Sequence, residues 1–365
     1  MSFTAASYRQ RLIRLSGILL AGCLCSAAHA VTIDMVTVGN PGNAGDTTGY
    51  GAVAYEYRMG KYEVTIGQYT AFLNAVAQTD TYSLYNANME TNLNVAGIAR
   101  TGSPGAYTYS VINNGGDSSN RPITYVSWFD AARFSNWMSN GQPAGSQGAA
   151  TTENGAYNVN GATSGNAVAK NVTNPNTGAA PSFFIPLENE WYKAAYYSPT
   201  LNSGSGGYYS YATQSDSQPG NIVSNGSNQV NYTDGNGYSV TQSYGYDANQ
   251  NYLTDVGAFS GSGSVYGTFD QSGNVTEWND LNGNAGSLRG RRGGNWDEGG
   301  SVAVSSAGFG TYSPSSEYSR LGFRLASPAS SPSGVPEIDP AGMGSVLALV
   351  TGALGLLERR RLKAS

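Results

Sequence analysis

Asp270 and Glu277 bracket the turn-prone run Gln271-Ser272-Gly273-Asn274-Val275-Thr276, so side-chain and backbone oxygens recur at short intervals. That pattern suits a hard cation such as calcium, which accepts carboxylates and backbone carbonyls together. Without a metal, the same two acids would cap turns. A second acidic pair, Glu188 and Glu190, invites the two-carboxylate chemistry of a glycosidase. Two positions apart at a helix start, however, these side chains point in different directions, and stabilisation of the helix terminus is the better reading.

The remaining inventory is narrow. The only cysteines and histidine are Cys23, Cys25 and His29. All three lie in a segment that reads as a secretory signal: Arg9, Arg11 and Arg14, an apolar run from Leu15 to about Ala28, and the small-x-small pattern Ala28-His29-Ala30. A mature chain starting near Val31 would hold neither residue type. Thiol redox, Cys–His or Ser–His nucleophilic catalysis and histidine-ligated metals are thereby excluded. Leu20-Ala21-Gly22-Cys23 also resembles a lipobox, in which Cys23 would be lipidated.

Between residues 31 and 335 there are 12 Lys/Arg against 21 Asp/Glu, a balance that argues against nucleic acid as a partner. With 49 Gly, 26 Tyr and only 12% charged residues, the chain describes many turns joined by short aromatic-bearing segments. At the far end, a Ser/Pro-rich linker from Ser327 to Gly334 leads to Pro336-Glu337-Ile338, the apolar stretch Ala341 to Leu357 and the cluster Arg359-Arg360-Arg361. The apolar stretch reaches about 26 Å as a helix, barely a bilayer core, with the arginines holding the C-terminus in the cytoplasm. An ordinary C-terminal membrane anchor is the plain reading.

Three blocks position the chemistry. Tyr55, Tyr57 and Met59 alternate as a strand would, and Thr65 with Gln68 forms a capping box ahead of a helix burying Tyr69, Phe72, Leu73 and Val76. Ser127 and Asp130 cap a second helix, with Trp128, Phe134, Trp137 and Met138 as core. A third helix follows Pro186-Leu187-Glu188-Asn189-Glu190-Trp191. The stretches Thr79 to Asn120, Gly141 to Pro181 and Pro199 to Asn251 read as surface insertions and as the place for recognition.

Six ordered motifs carry a resemblance. They are Met59-Gly60-Lys61-Tyr62-Glu63-Val64-Thr65, Pro122-Ile123-Thr124-Tyr125-Val126-Ser127-Trp128, Leu187-Glu188-Asn189-Glu190-Trp191, Gly273-Asn274-Val275-Thr276-Glu277-Trp278, Arg292-Gly293-Gly294-Asn295-Trp296 and Gly322-Phe323-Arg324. Together they resemble the formylglycine-generating enzyme (sulfatase-modifying factor) family. The resemblance implies an α+β, C-type-lectin-like fold with little regular secondary structure over residues 31–326. Leu187 stands where the family has a capping Thr, a loss of about 1 kcal/mol. Glu63 in the first motif reads as structural, with an acid catalyst as the other reading.

The family's calcium loop, matched position by position, would use the side chains of Asp270 and Glu277 and the carbonyls of Gly273 and Val275. A second site would use Asn221, the Ile222 carbonyl and a later aspartate, for which Asp247 and Asp234 compete. The family's two cysteines fall on Glu298 and Ala303, which cannot form the copper-binding thiolate pair that oxidises a substrate cysteine. The histidine cluster of iron-dependent relatives is missing too. The tail resembles a PEP-CTERM sorting signal, which implies an exosortase-type enzyme as partner, transient retention in the inner membrane of a Gram-negative bacterium, and delivery to the cell surface or extracellular matrix. The expected function is a non-catalytic, calcium-stabilised module binding an exopolysaccharide, another glycan or a surface protein; the alternative is an oxidase of the family with a rearranged site.

Overall fold

Thr65 and Ser127 start their helices by the mechanism that their spacing predicts. The computed structural model describes residues 30–329, and the signal segment, the Pro336-Glu337-Ile338 motif and the apolar tail lie outside them. Among the described residues no helix is long and apolar enough to cross a membrane. Helix α1 (Ile66–Val76) has a complete capping box: Thr65 N–H donates to Gln68 Oε1 at 2.9 Å and Gln68 N–H to Thr65 Oγ1 at 3.2 Å. A one-turn helix, α2 (Asn88–Thr91), follows. Helix α3 (Trp128–Ser139) is boxed by Ser127 and Asp130, and α4 (Glu188–Tyr196) begins at Leu187 with no side-chain cap on that residue.

The α3 cap makes stability depend on pH. Burial, with a smaller contribution from the like charge of Glu317, pushes the Asp130 carboxyl up to about 7. A carboxyl raised on folding stabilises the native state below its unfolded pKa of about 3.9 and loses that contribution as pH rises through its folded value. The melting temperature should therefore fall between pH 5 and pH 8. Ser127 N–H and Oγ both donate to Oδ2 of Asp130, at 2.9 and 2.6 Å, and the oxygen of an Asn can accept both. Asp130→Asn should consequently flatten the decline, and equal slopes in thermal melts of the two proteins would refute this account.

Strands β1 (Met35–Val38) and β2 (Tyr57–Gly60) pair antiparallel near the start of the domain. Tyr57 and Met59 are buried as the alternation predicts, but Tyr55 is 47% exposed and precedes the strand. A hairpin, β3 (Ile98–Thr101) and β4 (Thr108–Val111), packs on α1, and a short pair, β5 (Tyr197–Ser198) and β6 (Gly207–Tyr208), follows α4. The C-terminal third supplies β7 (Thr276–Asn279), β8 (Arg289–Arg292), β9 (Gly310–Tyr312) and β10 (Leu321–Phe323) in the sheet order β10-β7-β8-β9, with β10 parallel to β7. Strand β11 (Ala326–Pro328) then returns to the far edge of β2, giving the order β1-β2-β11. The linker expected to start at Ser327 therefore starts later, because Ser327 is fully buried and pairs with Arg58 across the sheet.

The core sits between α1, α3 and the two larger sheets. Phe72 meets Phe134 edge-on with ring centroids 5.2 Å apart, and Phe134 meets Phe323 of β10 at 5.5 Å. The inserted stretches are more than surface. Leu84, Met89, Ile98, Tyr157 and Val159 from them are all buried in this core, because apolar residues spaced singly among Gly, Asn and Ser still reach inward when each turn is pinned by backbone hydrogen bonds. Arg133 of α3 forms a two-bonded pair with Glu153, at 2.8 and 3.0 Å, which ties the helix to the second of these stretches.

Candidate functional site

Glu277 lies on β7 opposite Gly322 of the parallel strand β10, which brings Arg324 alongside it. Gly322 also lets β10 pack against the segment ahead of α3, since a Cβ there would fall 2.5 Å from the Ile123 carbonyl oxygen. Arg324 Nη2 donates to Glu277 Oε1 and Nε to Oε2, both at 2.6 Å, and Trp191 Nε1 adds a bond to Oε2 at 2.7 Å. The remaining donors of Arg324 reach the carbonyls of Gly60 and Phe269, at 3.0 and 2.8 Å. Both residues are fully buried.

Two further carboxylates share this environment. Burial raises Asp270 to about 6, with Glu277 adding repulsion while the Gly257 N–H and Arg324 oppose the rise. Burial first, then Asp270, raise Glu63 well above the usual carboxylate range. Glu63 Oε1 accepts a long bond from Asn274 Nδ2 at 3.3 Å, and its Oε2 has no partner among the described residues. The loop itself is held in unusual backbone geometry, with Asp270 and Asn274 both at φ 60°. Gly273, at φ 91°, could not carry a Cβ, which would sit 2.4 Å from the Asn231 carbonyl oxygen.

Two buried acids, Glu63 and Glu277, and the half-buried Asp270 supply the oxygen donors that a hard cation prefers. Yet no group of three or more His, Cys, Asp or Glu side chains among the described residues is placed to hold a metal. Glu277, expected as a calcium ligand, has both oxygens engaged by Arg324 and Trp191. Glu277 here anchors Arg324 rather than offering a free oxygen to a cation.

At the second expected site, Asn221 is fully buried and its amide donates to the carbonyls of Tyr232 and Gly237, at 3.2 and 2.7 Å. These carbonyls flank the turn containing Asp234, whose Oδ1 accepts from Asn236 N–H at 2.6 Å. Asp247 is tied elsewhere: its carboxylate accepts from Asn249 N–H and its carbonyl from Asn94 Nδ2, both at 2.8 Å. Ile222 is 55% exposed. Of the two competing aspartates, the fold brings Asp234's turn to Asn221, and the long insertion is what obscured this in the sequence.

A third locus lies beyond β8. Arg291, Arg292, Gly294, Glu298, Ala303 and Phe309 line a cavity of about 410 Å³. Arg292 is held rigidly, paired with Glu188 and donating to the carbonyls of Ser306 and Gly308 at 2.9 and 3.0 Å. Its guanidinium also lies within 5.0 Å of the ring centroids of Tyr50, Tyr192 and Phe309. Glu298 Oε2 accepts from Asn295 Nδ2 at 3.0 Å. The roles of Tyr50 and Phe309 were not legible in the sequence, since they reach Arg292 from irregular segments at opposite ends of the domain.

The sulfatase-modifying factor enzyme 1-like domain matches residues 43–329. The chain belongs to the sulfatase-modifying factor family. Its loop-rich α+β architecture is the one expected of that family. Among curated proteins none matches the chain. Similar solved structures include CarF, at 20% identity and TM-score 0.45 over 82% of this chain and 99% of CarF. Treponema denticola variable protein 1 is 18% identical with TM-score 0.44, over 82% and 97% of the two chains. PvdO from Pseudomonas aeruginosa is 16% identical with TM-score 0.39, over 81% and 92%. Glu298 and Ala303, where the resemblance would place the family's two cysteines, both line the cavity beyond β8.

Proposed function

We propose that this sulfatase-modifying factor domain is a non-catalytic, calcium-stabilised binding module, exported to the cell surface or extracellular matrix, that takes a glycan or protein ligand. The observation that supports this reading is a cavity lined by Glu298 and Ala303, a carboxylate and a methyl group where the resemblance would place the redox thiols. No cysteine or histidine lies anywhere between residues 30 and 329, so no thiolate or imidazole metal site can be rebuilt from neighbours. What remains is a concave surface carrying Arg291, Glu298 and the Phe309 ring, a mixture suited to recognition. Export rests on the signal-like N-terminus and the sorting-type tail in the sequence.

The purified protein should bind no copper tightly and should leave a Cys-x-Pro-x-Arg peptide unmodified under oxygen. Conversion of that peptide to formylglycine with copper present would establish the oxidase alternative. The calcium component has its own test. A cation that binds only the folded state stabilises it by mass action, so a chelator should lower the melting temperature and added calcium restore it. Identical melting curves with and without chelator would remove calcium from this proposal.

A further inference from the structure

A second cavity, of about 550 Å³, lies between the segment Gly49–Tyr55 and the start of α4. Tyr50, Tyr55, Glu188, Glu190 and Asn282 contribute to its wall, and apart from the tyrosines its only ionisable lining groups are the two glutamates. Glu188 is neutralised by Arg292, which lines the cavity at Glu298 instead, so this ion pair stands between the two spaces. Asn279 is close enough to favour the ionised form of Glu188. It forms no regular bond to it, however, and Glu188 Oε2 and Asn279 Nδ2 are both without partners among the described residues.

Glu190 is different. It is 1% exposed, and its oxygens accept only from neutral donors, Tyr55 Oη and Leu187 N–H, each at 2.7 Å. No cation lies within ion-pair distance of it among the described residues. Lys170 acts on it through space, but the Lys170 ammonium sits 3.7 Å from the centre of the Phe184 ring. The N–H groups at the start of α4 offset part of the charge. Burial raises the Glu190 carboxyl, with Lys170 opposing it from a distance, so the wall holds one buried acid with no ion-pair partner, whose charged form is costly until a cation arrives.

We propose that this cavity binds a ligand through a protonated primary amine. Carboxylates only accept hydrogen bonds, whereas an ammonium brings three donors and the missing charge. Anionic ligands would meet an acidic wall, and a neutral polyol would supply donors without neutralising Glu190. Tyr55, half-exposed at the rim, lines the same cavity and holds Glu190 through its hydroxyl. The volume is within the range of about 300–1,000 Å³ typical of small-molecule sites.

Chitosan trimer and chitin trimer provide a matched test, because N-acetylation removes the charge and keeps the sugar backbone. Titration calorimetry on the protein should give the chitosan trimer about tenfold or greater preference, weakening as salt is raised. Glu190→Gln and Ala54→Lys should each abolish the preference, while Val302→Lys, which alters the other cavity, should preserve it. Ala54 is exposed at the cavity wall, so its replacement decides the matter even where Glu190→Gln does not fold. Equal affinity for the two trimers, absence of saturable chitosan binding, or an unchanged preference in Ala54→Lys would overturn the proposal.

Discussion

Replacing Glu277 by Ala should destabilise the domain by about 3–5 kcal/mol, the usual consequence of removing one partner of a buried ion pair. The loss falls on three donors. Arg324 would keep its bonds to the Gly60 and Phe269 carbonyls but carry an uncompensated charge in a fully buried position, and Trp191 Nε1 would lose its acceptor. A smaller opposing gain comes from Asp270 and Glu63, which would each lose a repelling neighbour. Because Arg324 and Trp191 occupy both Glu277 oxygens, the destabilisation should be equally large with and without a calcium chelator. Denaturant unfolding under both conditions checks this; a loss below about 1 kcal/mol, or one confined to the calcium-loaded protein, would show that Glu277 serves the metal rather than Arg324.

The neighbouring residue should be as sensitive for a different reason. Trp278 alternates with Glu277 along β7, is fully buried, and lies in register with Phe323 of β10 and Arg291 of β8. Its Nε1 donates to the Val126 carbonyl at 3.0 Å, joining the sheet to the segment that leads into α3. Trp278→Ala should cost about 3–5 kcal/mol through lost transfer energy and the cavity left behind. Trp278→Phe should cost less, because it keeps most of the volume while leaving that carbonyl without its donor. Comparable losses for the two variants in denaturant unfolding would show that the hydrogen bond, not packing, dominates.

What could be read from the sequence follows the range of each interaction. The boxes at Thr65/Gln68 and Ser127/Asp130 are decided within four residues, and both formed as their spacing implied. The uncapped start of α4 was visible for the same reason, as a Leu in place of a hydroxyl. By contrast, Arg292 meets Glu188 across 104 residues and Arg324 meets Glu277 across 47, and nothing local marks either partner. The sequence therefore pointed to Glu188 as an acid stabilising a helix start and to Glu277 as a calcium ligand, and left unseen that both have arginine partners. Composition similarly misjudged the inserted stretches: their polarity suggested surface, but Ile98 and Tyr157 are fully buried.

The β1-β2-β11 sheet has a consequence for how the molecule comes into being. Met59 pairs with Ala326, and Tyr57 with Pro328, so the outer edge of β2 is closed only by the last strand of the domain. Such distant pairing requires closure of a very long loop before any contact rewards it, which slows folding. Until Ala326–Pro328 has docked, β2 remains an open strand edge, able to join a neighbouring chain. A folding chain of this protein is consequently most vulnerable to aggregation before its C-terminal strand docks, and any truncation ahead of residue 326 leaves β2 without its final partner.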